Sequence, residues 1–225
     1  MPRTRRWDRS GARLDTANGV GMSRRTGVGS DDMNDVKRDD VKNDDVNSSD
    51  GMIIRHATMA DLDALAGVEA ECFPPAEAAT REDIRNRLAV YPDHFWLLFD
   101  PNGVVDGNAG TDSADGRLVS FVNGMVTDTP DLADDMYADA SLHDDHGAWQ
   151  MIFGVNTIPA YRRRGYASRV IRHAADEARA QGRRGMVLTC KTEKIAFYAR
   201  LGFVDEGLSS STHGGVPWHQ MRLTF

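Results

Sequence analysis

From Met52 onward, apolar and polar residues alternate in patterns that predict a mixed fold. "MIIRHAT" reads as a strand, and Thr58 with Asp61 forms a capping box ahead of a helix. In that helix Leu62, Leu65 and Cys72 recur at helical spacing until Phe73, Pro74 and Pro75 end it. A second helix starts at Thr80, turns Ile84 and Leu88 inward and stops before Pro92. "HFWLLFD" and "RLVSFVNGMV" predict two strands joined by a long hairpin connection, the Gly-, Asp- and Asn-rich loop from Asp100 to Gly116. Residues 129–146 are acidic and read as a helix with loops. "WQMIFGVNTI" then predicts a continuous apolar strand of the kind buried on both faces.

Pro159 cannot continue a central strand, so the chain turns there. Beyond it Val170, Ile171, Ala174, Ala175 and Ala178 form one apolar stripe that ends at Gly182, which predicts a helix from about Arg164 to Gln181. The unit is strand, tight turn, helix, and its turn is "YRRRGYA". A helix start leaves its first backbone N–H groups unpaired and adds the positive end of the helix dipole, which suits a pyrophosphate. Gly165 and Ala167 let phosphates approach the backbone, and Arg162, Arg163 and Arg164 add charge. The turn lacks the Gly-Lys-Ser/Thr of a Walker A loop and the three glycines of a dinucleotide fingerprint.

The first 51 residues differ from the rest: Arg, Gly, Ser and Asp dominate, and "DVKRD", "DVKND" and "DVNSS" repeat at a period that builds no apolar face. This composition predicts a disordered tail over 1–51 and a folded domain over 52–225. Because the folded pattern opens at Met52, a misassigned upstream start codon, with translation beginning at Met52, is one expectation. No register of the Asp-rich tract supplies an EF-hand, and the expectation is no metal. The N-terminal apolar patch is too short for a secretory signal and no run spans a bilayer, so the expectation is a cytoplasmic chain without a membrane partner. Cys72 and Cys190 show no metal or CxxC spacing and read as reduced core residues. A formal charge of -7 over 225 residues argues against nucleic acid as partner.

"RRRGYA" matches the [Q/R]-x-x-G-x-[G/A] signature for acetyl-CoA in the GNAT N-acetyltransferases, and "GMVLTCKTEKIAFYARLGFVDEG" is similar to that family's strand, short helix and "FYxxxGF". Within the superfamily, "LTCKTEKIAFYARLGF" most resembles the serotonin (arylalkylamine) N-acetyltransferase branch. The resemblance covers residues 52–225. It implies an α/β GNAT fold, with a mixed, mostly antiparallel sheet flanked by helices and acetyl-CoA in the wedge between two central strands. It further implies that Val155, Thr157, Arg162, Arg163, Arg164, Gly165, Tyr166, Ala167 and Ser168 bind the cosubstrate. By the same resemblance, Gly154 should ease a bend in the strand, Val155 should offer its N–H to the thioester oxygen, and Tyr198 should protonate the departing thiolate.

The branch's two strand histidines correspond here to Met151 and Phe153, neither of which takes a proton. His143 and His146 are candidates for the base through a water chain, and Glu71 is a third. Phe95, Trp96, Trp149, Phe153 and Trp218 are available for an apolar acceptor pocket or for plain core. The expected function is acetyl transfer to a primary amine of a small molecule, by a monomer or homodimer. The alternatives are a protein N-terminal or lysine acetyltransferase and a non-catalytic CoA-binding regulatory module.

Overall fold

The computed structural model describes residues 50–103 and 112–225. The tail repeats and part of the Asp100–Gly116 loop lie outside the described residues. The first sheet begins with β1 (Ile53–His56), which pairs antiparallel with β2 (Phe95–Asp100); β2 pairs antiparallel with β4 (Gly116–Asn123). The free side of β4 carries the short β3 (Asp112–Ser113) at its start and β7 (Gly154–Thr157) at its end. The second sheet runs β5 (Val126–Thr127), β6 (Trp149–Ile152), β8 (Gly185–Cys190), β10 (His219–Thr224), β9 (Val204–Leu208). Among the described residues only β6 and β8 pair in parallel.

The capping boxes at Thr58 and Thr80 are both formed, and they start the chain into α1 (Leu62–Cys72), by way of a short 3-10 turn, and into α2 (Arg81–Val90). Phe95 to Phe99 are all buried although successive side chains leave β2 on opposite faces, so both faces of this sheet are covered. Helix α4 (Tyr166–Ala180) packs on β2, β4 and β7 through the five-residue stripe read from sequence, and α1 packs on β4 and β7. In residues 129–146 the helical content reduces to α3 (Asp135–Ala138) and a 3-10 turn. The last helix, α5 (Ile195–Ala199), precedes Gly202, whose φ of 92° turns the chain into β9.

Two expectations are corrected. "WQMIFGVNTI" is not one continuous strand: Phe153 separates β6 from β7, which belong to different sheets. Helix α4 starts at Tyr166, two residues later than the apolar stripe suggested, because Arg163 (φ 63°) and Gly165 (φ 87°) are both left-handed and cannot be helical.

Candidate active site

The break at Phe153 opens the site. Strand β6 follows β8 as far as the Ile152↔Leu188 pair, then the Phe153 N–H donates to Asn123 O (2.8 Å) and Gly154 also faces Asn123. Two residues opposite one make a bulge, and the bulge carries the chain over to β4. Gly154 permits this: a Cβ there would come 2.9 Å from the Asn123 amide nitrogen and 3.2 Å from that of Asn156. Meanwhile β8 continues to Thr189 and Cys190, paired with β10. The end of β8 and β7 diverge, and the wedge between them is the floor of a cavity of about 740 Å³.

Register fixes which amides look into that wedge. The Ile158 N–H donates to Val119 O, and the ladder places Asn156 opposite Phe121 and Gly154 opposite Asn123. Hydrogen-bonded pairs alternate in an antiparallel ladder, so the Val155 and Thr157 amides point away from β4 toward the wedge.

The turn ahead of α4 lines the cavity's far end. The Arg162 N–H still bonds to Pro159 O, and the next backbone bond is Arg169 N–H to Gly165 O. From Arg163 through Ser168 the amides have no backbone acceptor among the described residues, a run of donors suited to a pyrophosphate. A Cβ on Gly165 would meet nothing within 4 Å, so the space beside it is open. Arg163 is the one non-glycine residue with positive φ among the described residues, a strained conformation located in the turn ahead of α4. Arg162 is tied by its Nε to Thr157 O (2.9 Å) and lines the cavity with Arg163, Tyr166, Ala167 and Ser168. Arg164 does not line it; its guanidinium lies over the Tyr161 ring at 5.1 Å.

Tyr198 enters the wall from α5, nearly buried and held edge-on by Phe197 and Phe203. Its hydroxyl makes no hydrogen bond among the described residues. Burial pushes its pKa up, which keeps the proton on the oxygen. Cys190 and Cys72 also line the cavity, and burial raises both thiols, Cys190 to about 11. Neither is a ready thiolate nucleophile.

The other end of the cavity holds a carboxylate that the sequence reading passed over. Glu69 on α1 is 5% exposed, and its oxygens accept from the Ala79 N–H (3.0 Å) and the Asn156 side-chain amide (3.1 Å). Its Oε2 lies 3.9 Å from where a Gly154 Cβ would be. Desolvation raises its pKa, and the nearby Arg87 charge and the two hydrogen bonds only partly offset this. Its signal was spacing: Glu69 is four residues after Leu65 and three before Cys72, on the inward stripe of α1. Glu71, the glutamate singled out from sequence, is exposed.

His143 and His146 do not line the cavity. His146 is exposed, whereas His143 packs on His94 and Tyr91. With Asp145 the two buried imidazoles bring their ligand-type atoms within 4.8 Å of one another. The Val126 N–H donates to His143 Nδ1 (3.1 Å), however, so in the neutral ring Nε2 carries the proton, toward Asp145 at 2.8 Å. That arrangement is a hydrogen-bond chain in which His143 offers no free lone pair to a metal. Of the aromatics, Phe153 and Trp218 line the cavity; Phe95 and Trp96 are core, and Trp149 packs under Arg222. Met151 is fully buried.

No protein of curated function matches the chain. Among solved structures it resembles the GphF GNAT-like decarboxylase in complex with isobutyryl-CoA, at 21% identity over 76% of this chain and 98% of that one, with a TM-score of 0.62. It also resembles the loading GNATL domain of CurA from Lyngbya majuscula (17% identity, 77% and 97% covered, TM-score 0.61). The ribosomal-protein-S18-alanine N-acetyltransferase from Escherichia coli is similar at 17% identity, 77% and 93% covered, with a TM-score of 0.52. These identities establish a common fold. Residues 63–203 match the family model for the acetyltransferase (GNAT) family. The splayed strands, the open run of amides and this match together make the chain a member of the GNAT acetyltransferase family, with that family's acetyl-CoA-binding fold.

Proposed function

We propose that the chain is an acetyl-CoA-dependent N-acetyltransferase that acetylates the primary amine of a small molecule by direct attack. The observation that carries this is the wedge, with an acceptor-free run of amides at one end, the inward-pointing Val155 N–H in the middle and the buried Glu69 carboxylate beyond it.

Each demand of the reaction has a residue. The amides of 163–168 and Arg163 hold the pyrophosphate, and Arg162 stiffens the turn. The Val155 N–H donates to the thioester oxygen as negative charge grows on it. Glu69 accepts the proton released by the amine, and desolvation, which raises its pKa, makes it a stronger base than an exposed carboxylate. Tyr198 gives its proton to the departing sulfur and regains one from solvent. The raised thiols argue against an acyl-cysteine on the way.

A small acceptor is favoured because contacts bridge the acceptor mouth. The ion pair Lys191–Glu77 (2.7 Å) and the His213–Glu77 O contact (3.2 Å) tie the residue after β8 and the loop before β10 to the segment after α1. A peptide groove would need that mouth open. Phe153, Tyr137 and Trp218 give it an aromatic wall, which keeps arylalkylamines within the reading although both branch histidines are replaced. Titrating acetyl-CoA by calorimetry and then following free thiol release with an amine panel tests it. Saturable binding with release for one amine class is expected; binding without release from any amine refutes the transferase reading.

A further inference from the structure

Arg87 on α2 places a cation inside the acceptor half of the same cavity. The residue is 5% exposed, and its guanidinium lies over the Phe153 ring at 5.0 Å. A guanidinium has five N–H donors to satisfy. Here Nη2 donates to Tyr137 O at 2.7 Å, Nη1 reaches Asn123 Oδ1 only at 3.5 Å, and the buried Nε has no acceptor. Among the described residues Arg87 forms no ion pair. Glu69 feels its charge but has committed its two oxygens to Ala79 and Asn156.

A buried cation with no carboxylate at ion-pair distance among the described residues, only the more distant Glu69, is incompletely compensated, and an apolar side chain of similar volume would serve the core better. The arrangement is completed by an anion that arrives with a substrate, and a planar fork stacked on an aromatic ring matches a carboxylate. We propose that Arg87 is a specificity residue that binds a carboxylate of the substrate, so that the preferred reactants carry both an amine and a carboxylate between them. An amino acid, with its amine toward Glu69 and its carboxylate toward Arg87, fits both charges; a carboxylated acyl chain on CoA supplies the same group from the other side. This inference rests on the N-acetyltransferase reading above.

The test uses the full chain and matched pairs: L-phenylalanine against phenethylamine, L-tryptophan against tryptamine and L-leucine against isoamylamine, each with acetyl-CoA and with succinyl-CoA. The expected result is a kcat/KM at least about tenfold higher for the carboxylated member. A preference among acceptors places the carboxylate on the amine, and a preference for succinyl-CoA places it on the acyl chain. In R87M the ratio should fall toward one through KM, with R87K intermediate. Should R87M not fold, 3-phenylpropionate should compete with the carboxylated reactant in the wild type while 3-phenylpropanamide does not. Thiol release with equal rates across every pair and both thioesters overturns the carboxylate site alone. No release with any acceptor overturns the transferase reading and this inference with it.

Discussion

The Glu69 carboxylate accepts a hydrogen bond from the Asn156 side chain at 3.1 Å, which ties α1 to β7, the strand that carries Val155. The proposed base is thereby held by the strand that follows the bulge. E69Q should retain acetyl-CoA binding and lose about 10²-fold or more in kcat, as removal of a general base does. An unchanged kcat would remove Glu69 from the mechanism.

The same residue predicts a pH signature in stability. Burial raises the folded-state pKa of Glu69 above its ordinary 4.5, so folding favours the protonated form. That contribution is complete below pH 4.5 and is lost as pH rises through the folded value. The thermal stability of the wild type relative to E69Q should therefore decline as pH increases from 4.5 toward neutrality. A difference independent of pH would contradict the raised value.

His94 gives the opposite sign. Burial, with the charge of His143 second, lowers its pKa below 6.5, so its neutral ring stabilises the fold at higher pH and that stabilisation is lost as pH falls through the folded value. The wild type should begin to lose melting temperature below pH 6.5. In H94Q this acid-side slope should be shallower, which melts between pH 7.5 and 5 would reveal.

Gly165 serves two requirements at once, a φ of 87° and an empty space facing the amides. G165V should cost about 1–2 kcal/mol of stability from the left-handed backbone and should abolish measurable acetyl-CoA binding by calorimetry. Retained affinity in a folded G165V would displace the pyrophosphate from this turn.

Y198F removes only an oxygen that has no hydrogen-bond partner among the described residues, so the melting temperature should hardly move. If that oxygen protonates the thiolate, kcat should fall by about 10²-fold with the acetyl-CoA affinity intact. A variant as active as the wild type would leave Tyr198 as a packing residue.

Local signals in the sequence determined much of this protein. Thr58 and Thr80 with their acids three residues on, the two prolines after Phe73, and the stripe from Val170 to Ala178 each act within a few residues, and each formed the element expected of it. The turn ahead of α4 was legible for the same reason, since a glycine at a helix start and the donors around it are set by neighbouring residues. Tertiary structure decided the rest. The break at Phe153 depends on which strand competes for each half of the segment, β8 or β4, and no local pattern encodes that competition. Glu69 and Arg87 were hidden because a charged residue on an amphipathic helix is ordinarily solvated. Only the packing of α1 on β4 and β7, and of α2 on α1, turned those two side chains inward, where they line the cavity.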